Sequence, residues 1–227
     1  MIAKNLLAGH RRSHLTLLGR AAFTLLAVTS FSIMLVSSAM SQTIIDEWST
    51  IKPPPPPQVQ KVTIEPKTTA LLVLDIVKQT CNMERRPRCV ASIPKIQSLL
   101  NQARSKGVAV IHSITSSATP ADIAKEVAPR EGEPIVQAPA NKFFKTDLEK
   151  ILAEKGIKTV VVVGTAAHGA VLYTASGATL RGLQVIVPVD GSTAESTYIE
   201  QYTLVHLLSS PATVKRVTLT RTDMVQF

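Results

Sequence analysis

Asp75 closes the apolar run ALLVLD. A carboxylate at the end of a buried strand is costly unless it is paired or opens onto a cleft. It is therefore a candidate acid/base group, with an ordinary loop cap as the plainer reading. Lys142, in ANKFFKTDLE, is the candidate cation. Set beside Asp75, it would hold the carboxylate ionised and stabilise a developing oxyanion. Lys145 in the same stretch competes for that role, and either lysine could equally lie on the surface. The third candidate is VVVGTAAHGAVLYTASGA, which reads as a buried strand, a small-residue turn and a helix. The first N–H groups of a helix lack internal partners and can hold an anion. Thr165, Ala166, His168 and Gly169 on this turn would let a substrate approach that backbone, although small residues serve tight helix–sheet packing as well. The turn is shaped to present a reactive group, yet it carries almost none.

Of the five histidines, His112, His168 and His206 lie outside the N-terminal leader described below. They are far apart, with no H-x-H or H-x-x-x-H spacing, so the sequence offers no zinc site and no metal is expected. His112 reads as the end of a buried strand and His206 as part of a helix. His168 alone falls on the suspected turn and is assigned to its pocket. Cys81 and Cys89 bracket CNMERRPRC. In an exported protein they could close a disulfide; two free thiols, one of them buried, is the alternative.

The elements that must position these residues alternate in kind. Apolar runs at 70–74, 108–112, 134–138, 158–164, 184–189 and 214–220 read as strands. Helical stripes at 92–106, 170–181 and 194–209 fall between them, Gly107 and Gly182 closing the first two. A short helix is read at 121–127. Thr146-Asp147-Leu148-Glu149 reads as a capping box that opens another helix, ended by Gly156. Fully apolar strands followed by helices imply an α/β domain of three layers. It is Rossmann-like, with a mostly parallel sheet of about six strands and helices on both faces. In such sheets the site lies at the carboxyl ends of the strands, which selects Asp75, His112 and the turn after Gly164. No G-x-G-x-x-G follows the first strand and no P-loop is present, so no cofactor is expected.

As a set, LLVLDI, NKFFKTDLEKILAEKGIKTVVVVG and AVLYTASGATLRGLQVIVPVDG resemble the isochorismatase-like cysteine hydrolase superfamily. The resemblance runs from about residue 69 to residue 220. It implies an Asp–Lys–Cys site in which the Cys attacks a carbonyl, the Asp relays protons and turn amides hold the oxyanion. It also implies a cis peptide near Thr165-Ala166. Asp75 matches the family Asp. Lys142 matches the Lys, but stands closer to the following helix than is usual. The nucleophile position falls on Ala170, which has no thiol. Isochorismatases, which cleave a vinyl ether, include members without the Cys. Members of the fold often assemble through their helical faces, which implies a homo-oligomer.

Residues 1–41 combine a basic start, an apolar core at 21–36 and small residues before Gln42, and read as a signal peptide. The alternative is an uncleaved membrane anchor. Export to a periplasmic or extracellular compartment follows from the first reading. Residues 42–66, with PPPPP at 53–57, read as a Pro-rich spacer or as a rigid arm packed on the domain of residues 67–227. The formal charge of +9 falls once the leader goes. The leader holds four of the 25 Lys and Arg and none of the 16 Asp and Glu, leaving 21 against 16, or +5. No basic stripe with interleaved aromatics supports nucleic-acid binding. The partner expected is a small molecule, with a membrane contacted only through an uncleaved leader. Three functions fit: a cysteine-free hydrolase of a small amide, ester or vinyl ether with Asp75 as acid/base; a non-catalytic protein that binds a small molecule or a partner; and a tethered structural protein.

Overall fold

The computed structural model describes residues 43–227, which fall in two units divided after Pro53. The expected signal peptide lies outside the described residues. Among those described, no helix is long and apolar enough to cross a membrane. In the first unit, Ile44–Glu47 forms one helical turn, opened by Thr43, whose amide and hydroxyl both donate to Asp46.

The second unit is built on a parallel sheet. Its strands are β2 (Thr69–Leu74), β3 (Ala109–Ile114), β4 (Ile135–Gln137), β5 (Thr159–Thr165), β6 (Gln184–Pro188), β7 (Ser192–Thr193) and β8 (Val217–Thr220). They lie in the order β4-β3-β2-β5-β6-β8, with β7 beside the carboxyl end of β5. Every pair is parallel. The sheet thus has seven strands against about six expected; β7, two residues long, is too short for an apolar period to mark it.

Alternate residues of each strand face opposite layers. Leu71, Val73, Val161 and Val163 face helix α1 (Pro87–Ser105) and its Ile93, Ile96, Leu99 and Leu100. Ala70, Leu72, Leu74, Val160 and Val162 face the opposite layer of α2 (Leu148–Glu154), α3 (Leu172–Leu180) and α4 (Thr197–Ser209), which supplies Leu148, Leu152, Ala175, Ala178 and Leu207. The consecutive valines of β5 therefore serve two cores, which is why that strand shows no polar face.

Part of the stretch read as a Pro-rich spacer is tied to this domain. Strand β1 (Val62–Thr63) pairs in parallel with β9 (Val225–Gln226). Before it, the Gln60 amide donates to the Leu219 carbonyl at 3.0 Å, and Gln201 Nε2 donates to the Pro54 carbonyl at 3.3 Å. The pattern Val62-Thr63-Ile64, with Ile64 buried, supplies the alternation that the proline run beside it obscures. The expected short helix at 121–127 is two 3-10 turns, Pro120–Asp122 and Lys125–Val127.

The expected capping box is corrected. Asp147, not Thr146, precedes the first turn of α2, and it makes no side-chain cap. Thr146 Oγ1 accepts from the Leu148 amide at 3.2 Å and donates to the Lys142 carbonyl. Glu149 pairs with Arg181 rather than reaching back. The hydroxyl is drawn toward the loop that carries Lys142.

His112 lies within β3 and is buried. Its Nε2 stands 3.0 Å from Glu133 Oε2, and Arg104 clasps the same carboxylate, Nη2 to Oε2 at 2.7 Å. Burial lowers the pKa of His112 despite Glu133, so the ring is neutral at ordinary pH. Burial alone would raise Glu133; the Arg104 guanidinium, the Arg130 amide and His112 overcome that and hold it at about 2. A carboxylate depressed by folding adds stability above its unfolded pKa and loses it as pH falls through the folded one. Between about pH 5 and about pH 2, wild-type Tm should therefore drop more steeply than that of Glu133→Gln. Parallel curves by differential scanning calorimetry would show that Glu133 does not carry the acid sensitivity.

Candidate active site

The site lies at the carboxyl ends of β2, β3 and β5, where parallel strands leave a crevice. Register brings its parts together: Leu74 sits opposite Ser113 on one side and Gly164 on the other. Asp75 follows at once. Its φ of 52° is left-handed, a conformation uncommon outside glycine that Asp tolerates better than most residues. Its amide donates to the Ser113 carbonyl at 3.1 Å, and its own carbonyl accepts from Thr80 Oγ1. The side chain is tied on both oxygens. Ser113 Oγ donates to Oδ1 at 2.8 Å, and Lys142 Nζ stands 2.8 Å from Oδ2.

Lys142 is the largest fully buried side chain in the described residues, at 0% exposure. Besides Asp75, its Nζ reaches the carbonyls of Pro139 at 2.6 Å, Ala138 at 2.8 Å and Ile114 at 3.4 Å. With Asp75 Oδ2 these make four acceptors around three ammonium protons, so no proton lacks a partner. Helix α3 holds the loop that delivers it. Lys142 N donates to Thr174 Oγ1 at 3.1 Å, and Gly177 lets Asn141 and Phe143 approach so closely that a Cβ would meet both at 3.0 Å. Lys145 takes no part: it is exposed, with its ammonium over the Phe144 ring.

Burial is the first cause of both shifts in this pair. It raises Asp75 against the pull of Lys142, Ser113 and Arg86, and it lowers Lys142 against the pull of Asp75. Each charge persists only because of the other, which leaves Asp75 closer to protonation than a surface carboxylate.

Strand β5 enters the turn through Gly164, φ 131°. A Cβ there would lie 2.0 Å from the Leu74 carbonyl oxygen, so only glycine allows this approach to β2. The Thr165-Ala166 peptide is cis, as the resemblance implies. Thr165 is buried, with Oγ1 donating to the Thr193 carbonyl at 3.0 Å. Ala167–Val171 then forms a π-helical turn that runs into α3. The turn is not an open row of donors. The amides of Gly169 and Val171 both bond the Ala166 carbonyl, at 3.0 and 3.2 Å. Ala170, 4% exposed, packs in the same apolar cluster as Leu74.

Around the turn stand residues that sequence reasoning did not select. Glu195 Oε2 lies 3.9 Å from His168 Nδ1, and Glu195 Oε1 accepts from Arg86 Nε at 2.8 Å and also from Nη2. Arg86, 5% exposed, donates through Nη1 to the Thr80 carbonyl at 3.2 Å. The Cys81–Cys89 disulfide closes the loop that carries it. The motif CNMERRPRC was visible, but its partner lies 109 residues away in sequence. Ser113 could have been found as the polar residue opposite the last position of β2. Among the described residues, no three His, Cys, Asp or Glu side chains come together as a metal site.

The arrangement provides a buried carboxyl that can give or take a proton, a cation fixed against it and a methyl group on the adjoining turn. A family model described as the isochorismatase domain matches residues 69–218. The secreted isochorismatase effector Isc1 of Verticillium dahliae is 36% identical over 111 residues, or 44% of this chain and 58% of that protein. The chain therefore matches less than two thirds of that relative. An isochorismatase-like hydrolase from Alkaliphilus metalliredigens superposes with a TM-score of 0.62 at 26% identity, over 69% of this chain and 93% of that one. An isochorismatase from Pseudomonas putida does so with a TM-score of 0.64 at 18% identity, over 82% of this chain and 100% of that one, a likeness of fold.

Proposed function

Because the chain belongs to the isochorismatase family, we propose that it is an exported hydrolase that adds water to a small amide, ester or vinyl ether without a cysteine nucleophile. The observation that carries this reading is the buried Asp75, held between Ser113 and Lys142 beside a turn whose nucleophile position is Ala170. The protonated form of Asp75, which burial favours against the pull of Lys142, gives its proton to the departing group or to the vinyl carbon. Lys142 stabilises the carboxylate that remains, and water supplies the oxygen. Export is supported by the leader, by the disulfide, which belongs in an oxidising compartment, and by the secreted character of the Verticillium relative.

Ala170 also favours a second reading, a protein that binds a small molecule in this pocket and does not turn it over. One experiment separates the two. The chain from Gln42 onward and its Asp75→Asn form are compared on a panel of small amides, esters, imides and isochorismate. Hydrolysis that falls by about 10³-fold or more in Asp75→Asn is expected. Saturable binding with no turnover in either protein would establish the second reading. Turnover indifferent to Asp75→Asn would place the chemistry elsewhere.

A further inference from the structure

The proposed reaction leaves the attacking water without a base. Asp75 is assigned as the acid, and Lys142 is encased by oxygen atoms. A second titratable cluster lies on the same turn. His168 sits two residues before Ala170, and its side chain is 41% exposed. Its Nδ1 is nevertheless buried and has no hydrogen-bond partner. The exposure therefore belongs to other atoms of the side chain. The shielded Nδ1 lies 3.9 Å from Glu195 Oε2, too long for a hydrogen bond but within reach of a small side-chain rotation.

Glu195 is not free to wander. Arg86 grips its other oxygen with two nitrogens, and Arg86 is itself buried in the disulfide-closed loop and tied to the Thr80 carbonyl. Thr80 in turn donates to the Asp75 carbonyl. The charge of Arg86 acts on both the Asp75 and the Glu195 carboxylates. Polar contacts thus run from the Asp75 backbone carbonyl through Thr80 and Arg86 to Glu195, which stands 3.9 Å from His168 Nδ1. A carboxylate facing Nδ1 fixes the tautomer that leaves Nε2 as an acceptor, the logic of a base aligned by a third group.

We propose that His168, aligned by Glu195, is the base that activates water for attack on an amide or ester carbonyl. This rests on the cysteine-free reading above. Water loses a proton to Nε2, its oxygen bonds to the acyl carbon and the carbonyl π pair moves to oxygen. Collapse restores the C=O bond and breaks the bond to the leaving nitrogen or oxygen, which departs with its electron pair and takes the proton of Asp75. The imidazolium proton then passes through solvent to the Asp75 carboxylate, and both groups are restored.

The test compares wild type, His168→Ala, Glu195→Gln and Asp75→Asn on an ester or amide that wild type hydrolyses. His168→Ala should lower kcat by about 10²-fold or more with KM little changed. Added imidazole should restore part of that loss, and none of the loss in Asp75→Asn. Independently of turnover, ¹⁵N NMR of the neutral ring should show Nδ1–H in wild type and a shift toward Nε2–H in Glu195→Gln. If His168→Ala keeps wild-type turnover while Asp75→Asn is inactive, the histidine proposal falls and the Asp75 reading stands. A loss that imidazole does not rescue, with ring nitrogens indifferent to Glu195→Gln, marks a structural role and also overturns it. If wild type hydrolyses nothing on the panel, both fall.

Discussion

Lys142→Met is expected to destabilise the protein by about 3–5 kcal/mol, because it strands a buried carboxylate. Methionine fills much of the same volume, so lost packing is not the reason. Asp75 Oδ2 loses its counter-ion, and the carbonyls of Ala138 and Pro139 lose their donor. Asp75 is then left with burial and only Ser113 and Arg86 to oppose it, so its pKa rises further than in wild type. The sign follows from that direction. A carboxyl whose folded pKa exceeds the unfolded value, about 3.9, contributes stability below the unfolded value and loses it as pH rises through the folded one. The gap between Lys142→Met and wild type should therefore narrow on acidification. Urea unfolding at neutral and acid pH measures both effects. Asp75→Leu combined with Lys142→Met should recover most of the loss, since the pair is removed together. A single variant within about 1 kcal/mol of wild type would mean that the pair does not hold this crevice together.

That pair also marks how far the sequence could be read. The strand-end rule placed Asp75, because a fully apolar run ending in a carboxylate has few other readings in a parallel sheet. The sequence put Lys142 forward and left Lys145 as a competitor. The choice is made by Thr174 and Gly177 of α3, which hold the loop so that only the first lysine reaches Asp75. The strands of the main sheet were legible where they were long enough to show continuous apolarity. Strands β1, β7 and β9, two residues each, were not. The 42–66 segment shows the same limit, since its proline run dominated the reading while Gln60 and Val62 pair with the domain. Arg86 and Glu195 were beyond reach for another reason. Ion pairs between distant segments leave no local period, and three arginines in one motif do not say which is buried. The disulfide, left open in the sequence, closes the loop that holds all three, of which Arg86 is the buried one.

Ala170→Cys is expected to convert the site to thiol chemistry. The turn keeps Gly164 close against β2 and enters α3 through a π-helical turn, and the family resemblance places the nucleophile at Ala170. A thiol adds one heavy atom to a residue packed with Leu74 and Val171, so a packing cost of about 1–3 kcal/mol is anticipated. Asp75 at the adjoining strand end can accept the proton of the thiol. Turnover of small amides should rise by about 10²-fold over wild type, with a burst of first product equal to the enzyme present. Mass spectrometry should detect an acyl adduct on the new cysteine. Asp75→Asn in the same background should abolish both. A folded Ala170→Cys variant whose thiol reacts with iodoacetamide but never acquires an acyl group would show that the turn no longer aligns a substrate carbonyl. The binding reading would then gain the ground that the hydrolase reading loses.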